Sequence, residues 1–145
     1  MRMPDVNVLI YAHREDAHAE HLTFGRWLSE LATASEPFAL SPAVLSGVVR
    51  IVTNPRVFAR PSTLDEVFAF IDELCRRPTA RLLGPGPRHR SIFTELCLQT
   101  GASAKLVADA YHAAVAMEHG CCWVTTDSDF ARFPGLRWEH PLRPR

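Results

Sequence analysis

With 145 residues and a mass of 16.2 kDa, the chain has the size of one domain, and 47% hydrophobic with 22% charged residues excludes disorder and collagen-like architecture. Sixteen Lys and Arg balance sixteen Asp and Glu, so no global field draws the protein to nucleic acid or membrane, and any nucleic-acid contact must be local. No apolar run approaches the roughly eighteen residues of a membrane span, and Asp5 and Asn7 interrupt the apolar core that a signal peptide needs, which predicts a cytoplasmic protein.

Residues 4–12, PDVNVLIYA, form a near-continuous apolar run that predicts a central parallel strand covered on both faces. Residues 16–33 space His18, Leu22, Leu28 and Leu31 at helical intervals, giving an amphipathic helix that ends near Ser35, Glu36 and Pro37. A short strand over 38–40 follows, and Ser41 with Pro42 predicts the cap and first turn of a helix running to about Thr53, where Asn54 and Pro55 stop it. Ser62 or Thr63 caps the next helix, reaching Cys75 with Leu64, Val67, Phe68, Ile71 and Leu74 as its apolar stripe.

A third strand is expected over 80–83, before the Gly84-Pro85-Gly86-Pro87 turn. A helix over 89–100 is stopped by Gly101, and Ser103 caps another that runs to Gly120. Residues 121–126 read as a compact strand, with a last one over 136–138. The four cysteines, Cys75, Cys97, Cys121 and Cys122, have no zinc-type spacing and suit reduced thiols. Strands alternating with helices imply a single domain over 1–145: an α/β fold, a three-layer α/β/α sandwich with a central, mainly parallel sheet.

In such sheets ligands bind beyond the carboxyl ends of the strands, so the carboxylates there matter most. Asp5 and Asn7 are two apart in the predicted first strand and share a face. Asp5 is either a functional carboxylate or a helix cap. Asp127 and Asp129 close the late strand, where they either face the functional edge or cap a short helix. Lys105, Asp109 and His112 stand at i, i+4 and i+7 on one helical stripe. Clustered carboxylates raise a pKa or recruit a cation, and an oxygen-only set favours Mg²⁺ or Mn²⁺, which points to metal-assisted phosphodiester hydrolysis.

The segments PDVNVLIYA, LVADAYHAAVAMEHG and VTTDSDFARFPGLRW resemble the three signature segments of PIN-domain ribonucleases, with the nearest likeness to VapC-type toxins of bacterial toxin-antitoxin pairs. Residues 48–58, VVRIVTNPRVF, resemble the segment after the second helix in one branch of those toxins. The resemblance implies a PIN-like fold and an endoribonuclease in which Asp5, Asp109, Asp127 and Asp129 are catalytic. Asp5, Asp109 and Asp127 would hold Mg²⁺ or Mn²⁺, and Asn7 and Thr126 would orient them. Arg50, Lys105 and His112 are candidates for phosphate contacts with RNA. The implied partners are an RNA substrate, a VapB-type antitoxin and a second copy of the chain, with no membrane.

The family's acidic residue three positions before an Arg is Gly47 here, with Arg50 at the matching Arg. This departure predicts weaker cation binding and leaves a second reading, a module that binds RNA or antitoxin without cleaving. Receiver-like and phosphatase-like domains also place Asp at strand ends, but Asp5-Val6-Asn7 supplies neither of their patterns, and no phosphate-binding glycine loop is present. Surface for partners is expected on residues 63–74 and at Phe24 and Trp27. Arg76 with Arg77, and Arg88 with Arg90 around His89, are either a basic patch or solvated surface.

Overall fold

The apolar run that opens the chain folds mainly as a helix rather than a strand. In the computed structural model, which describes residues 1–143, strand β1 spans Arg2–Pro4 and helix α1 spans Val6–His13. Asp5 sits at the junction. Its N–H still bonds Val124 O at 2.8 Å, and its side chain then accepts from Val6 N, capping α1. An apolar run of this length fits a buried strand or a buried helix equally well. The decisive local signal is the Asp-Val-Asn start, a helix-cap composition that follows a Pro.

The remaining elements are α2 (His21–Thr33), β2 (Phe38–Leu40), α3 (Pro42–Val52), α4 (Leu64–Cys75), β3 (Ala80–Leu82), α5 (His89–Thr100), α6 (Lys105–Glu118), β4 (Cys122–Val124) and β5 (Trp138–Glu139). A 3-10 helix, Ser128–Arg132, follows β4 and takes Asp127 as its cap. Helix α2 starts five residues later than its pattern suggests, because 16–20 form turns. Thr63 caps α4 as expected, accepting from Glu66 N. Neither Ser41 nor Ser103 caps through its side chain. The Ser41 hydroxyl is buried without a partner among the described residues, and the residue before α6 is Ala104 with φ 49, a conformation costly for a residue with a Cβ. Gly101, at φ 61, ends α5 as the sequence predicts.

All strand pairs are parallel. β1 pairs with β4 and β4 with β5, with Met3 opposite Trp123 and Trp123 opposite Trp138. β2 pairs with β3, with Phe38 opposite Ala80, and lies beside β1. The hydrogen-bonded ladder is therefore split into three strands and two. Helix α1 packs on both α2 and α3, and α5 packs on α6, which lies against β4. The alanines of α6, Ala110, Ala113, Ala114 and Ala116, are buried and let its backbone approach closely.

Trp123, Phe24, Phe38 and Phe130 are the largest fully buried side chains. Phe24 is thus core, not partner surface, whereas Leu64 and Phe68 of α4 are exposed. No helix among the described residues is long and apolar enough to cross a membrane.

Candidate metal and RNA site

Because β1 and β4 run in parallel, both end at one edge, and the chain leaves them as Asp5 and as Thr125 to Asp127. Helix α6 brings Asp109 to the same edge from its second turn. Asp5, Asn7, Arg50, Lys105, Asp109, His112 and Asp127 all line one cleft of about 660 Å³. Asp5 therefore shares a cleft with two carboxylates more than a hundred residues further along the chain.

Two small hubs hold them. The buried Thr125 hydroxyl donates to Asp5 Oδ2 at 2.7 Å and accepts from Asn7 Nδ2 and Asp127 N, each at 3.1 Å. One proton and two lone pairs are all it has, so it is saturated. Asn7 Nδ2 also reaches Asp5 Oδ2 at 3.2 Å, and Asn7 Oδ1 accepts from Thr126 N at 3.3 Å. The second hub is the Lys105 ammonium, 3.0 Å from Asp109 Oδ2 and 2.6 Å from Asp127 Oδ2.

The electrostatics differ between the carboxylates. Burial pushes the Asp5 carboxyl up to about 6; the Thr125 and Val6 donors oppose this, and Asp109 and Asp127 add repulsion. Burial also pushes Asp127 up, but the Lys105 ammonium and the Asp129 N–H outweigh it and hold Asp127 below its ordinary value. The same bonds, led by that to Asp127, raise the Lys105 ammonium. Asp109 and Asp5 are both buried, at 8% and 7% exposure, so their charges are poorly hydrated.

The orienting hydroxyl is thus Thr125, not Thr126, which contributes only its backbone N–H. Asp129 is exposed outside the cleft lining, and its N–H donates to Asp127 Oδ1 at 2.9 Å. His112 lines the cleft as a ring stacked on Trp123, centroids 5.6 Å apart, and burial lowers its pKa against the pull of Asp109. It forms part of the cleft wall. Arg50 is exposed at the cleft and forms no ion pair among the described residues.

Arg14 organises the opposite wall and carried no sequence signal. It grips Asp16 with two bonds of 2.8 and 2.7 Å, bonds Ser62 Oγ and Arg60 O, and stacks 4.0 Å over Phe58. This pins the segment 54–62, whose Val57, Phe58 and Ala59 line the cleft. Asp16 is a further cleft carboxylate, already matched by Arg14. A Cβ on Gly47 would lie 3.0 Å from Val6 Cγ2, so this glycine lets α3 close on α1 beside Asp5.

Among the described residues no three carboxylate, imidazole or thiol groups close on one point in a way that holds an ion. Lys105 stands between two of the carboxylates concerned. The donor chemistry nevertheless suits a hard dication, being all oxygen and short of positive charge at Asp5.

A parallel sheet that gathers aspartates from its first strand end, a late helix and its fourth strand end matches the PIN domain, and the chain belongs to that family, over residues 2–136. Its relatives are VapC ribonucleases. It is 44% identical over 138 residues to ribonuclease VapC43 of Mycobacterium tuberculosis, covering 95% of this chain and 93% of that one. To ribonuclease VapC25 of the same species it is 40% identical over 141 residues, covering 97% and 99%. VapBC2 from Rickettsia felis, solved bound to a DNA fragment from their promoter, shares the fold, with a TM-score of 0.69 at 20% identity over 96% of this chain and 97% of that one.

Proposed function

We propose that this chain is a metal-dependent endoribonuclease toxin that cuts cellular RNA and is neutralised by a cognate antitoxin. The observation that carries the reading is the convergence of Asp5, Asp109 and Asp127 on one cleft at the carboxyl edge of the sheet. Membership among the VapC ribonucleases supports both the RNA substrate and the antitoxin.

Asp5, Asp109 and Asp127 would hold Mg²⁺ or Mn²⁺, which when bound supplies Lewis-acid stabilisation of phosphoryl charge and acidifies a water. The other side chains position and bind. Thr125 and Asn7 fix the Asp5 carboxylate, so little reorganisation is needed as charge develops. Arg50 at the rim meets the phosphate backbone, and the Arg14-pinned wall of Val57 and Phe58 offers apolar surface to an unstacked base.

Cleavage of total cellular RNA with Mg²⁺ or Mn²⁺ tests this. Asp109→Asn is expected to abolish cutting with the fold intact, and retained activity would sink the assignment. Arg50→Ala should lower the salt slope of RNA binding by about 1. Gly47, where the family carries an acid, favours a second reading: RNA or antitoxin binding without cleavage. RNA retained uncut by the Mn²⁺-saturated protein would select it. The exposed α4 residues Leu64 and Phe68 are the surface assigned to a homodimer, and a monomer in light scattering would remove that part.

A further inference from the structure

Fifteen arginines and a single lysine make up the basic side chains of this protein, and the single lysine is Lys105. Its ammonium lies between Asp109 Oδ2 and Asp127 Oδ2, at 3.0 and 2.6 Å. A guanidinium is a wide planar fork, whereas an ammonium is a compact point charge on a flexible stem. Lysine is therefore the basic side chain that best imitates a bare cation between two carboxylates.

The seat is easily vacated. The Lys105 side chain is 66% exposed, and the residue is the first of α6, so its stem can swing into water without uncovering the core. Asp5, by contrast, has only neutral donors among the described residues: Val6 N, Asn7 Nδ2 and the Thr125 hydroxyl. The ammonium thus balances two of the three carboxylates and leaves the most confined one uncompensated.

We propose that Lys105 is a tethered counter-ion that fills the cation seat of Asp109 and Asp127 and leaves it when a divalent cation binds, so that metal loading frees the lysine to meet an RNA phosphate. This rests on the metal-dependent reading above. The coupling is reciprocal: whatever the ammonium gains in the seat is subtracted from the affinity of the metal. In the metal-free protein the ammonium offsets repulsion between the two aspartates. Once released, it stands at the cleft mouth with Arg50, where positive charge complements the nucleic-acid backbone.

Mn²⁺ alone, titrated calorimetrically into the full-length protein and into Lys105→Met, tests the competition. The variant keeps the length of the side chain and loses the charge. It is expected to bind Mn²⁺ about tenfold more tightly, as for loss of one partly exposed charge-assisted competitor. It should also melt at a lower temperature in chelator and gain more from Mn²⁺ than the parent protein does. Equal or weaker Mn²⁺ binding by Lys105→Met overturns the counter-ion role while leaving the nuclease reading in place. Absence of Mn²⁺ binding by both proteins overturns the two together.

Because the chain has one lysine, labelling with [15N]lysine gives one side-chain ammonium resonance, so the unmutated protein decides the matter even where Lys105→Met fails to fold. Mg²⁺ should shift or exchange-broaden that resonance with the calorimetric midpoint. A resonance unchanged at saturating Mg²⁺ overturns the proposal.

Discussion

The two ends of the three-stranded sheet carry clefts of similar size and opposite charge logic. At the amino end, a cleft of about 580 Å³ is lined by Arg2, Arg137, Glu30, Glu36 and Glu139, and its acids are either paired or open to water: Arg2 Nε bonds Glu139 Oε1 at 2.6 Å, Glu30 and Glu36 are exposed, and Arg137 donates to Gly120 O. At the carboxyl end, Asp109 and Asp127 share one ammonium while Asp5 is held by neutral donors, and burial pushes the Asp5 carboxyl up to about 6. Cleft volume does not separate the ends. Unbalanced charge does, because a fold retains poorly hydrated like charges at a cost to its own stability.

The sharpest way to break this contrast is to neutralise one acid at each end. Asp5→Asn should lower RNA cleavage about a hundredfold or more, while raising the stability of the metal-free protein at pH 7, since Asn still caps α1. Glu139→Gln should leave cleavage intact and change stability by less than about 1 kcal/mol, as partly exposed pairs do. Equal effects on cleavage would erase the distinction.

Thr125→Val attacks the hub rather than the charge. It strands Asp127 N and leaves Asn7 Nδ2 and Asp5 Oδ2 with only their bond to each other, and chemical denaturation should register a loss of about 2–4 kcal/mol. A loss below 1 kcal/mol would mean that the hydroxyl is dispensable.

The pH dependence follows from Asp5. Its folded value is raised, so its contribution is fully favourable below the ordinary carboxylate range and is lost as pH climbs from about 4 through about 6, by ~3 kcal/mol at most. In chelator, the stability difference between the parent protein and Asp5→Asn should therefore widen over that window. A constant difference would show that Asp5 is not strained.

The smallest effect concerns the backbone at the start of α6. Ala104→Gly removes the penalty of φ 49 and should stabilise the protein by up to about 1 kcal/mol in thermal melts, with no loss expected at the amino end. A destabilised variant would mean that the Ala104 methyl contributes packing outweighing the strain.

Much of the fold was written in local signals. Thr63, Gly101 and the 38–40 strand fall where caps, breakers and apolar runs predict them, because each is decided within a few residues. Helix α1 was misassigned because periodicity cannot distinguish a buried helix from a buried strand over so short a span. Asp109 was legible as the carboxylate on a helical stripe with Lys105 and His112, and its burial explains why it is not merely a surface partner of Lys105. The exchange of Thr125 for Thr126 was not legible, since adjacent threonines differ only in which way the end of β4 turns them.

The order of residues alone determined that acids would stand in the first element, in a late helix and after the late strand, because parallel connection of α/β units sends those positions to one edge. Only the folded arrangement decided which hydroxyl saturates them, that a lone ammonium sits between two of them, and that the third is left without a cation. Those outcomes depend on distances of a few ångströms between separate segments, 22 residues apart for Lys105 and Asp127 and 120 for Thr125 and Asp5, which local sequence pattern does not specify.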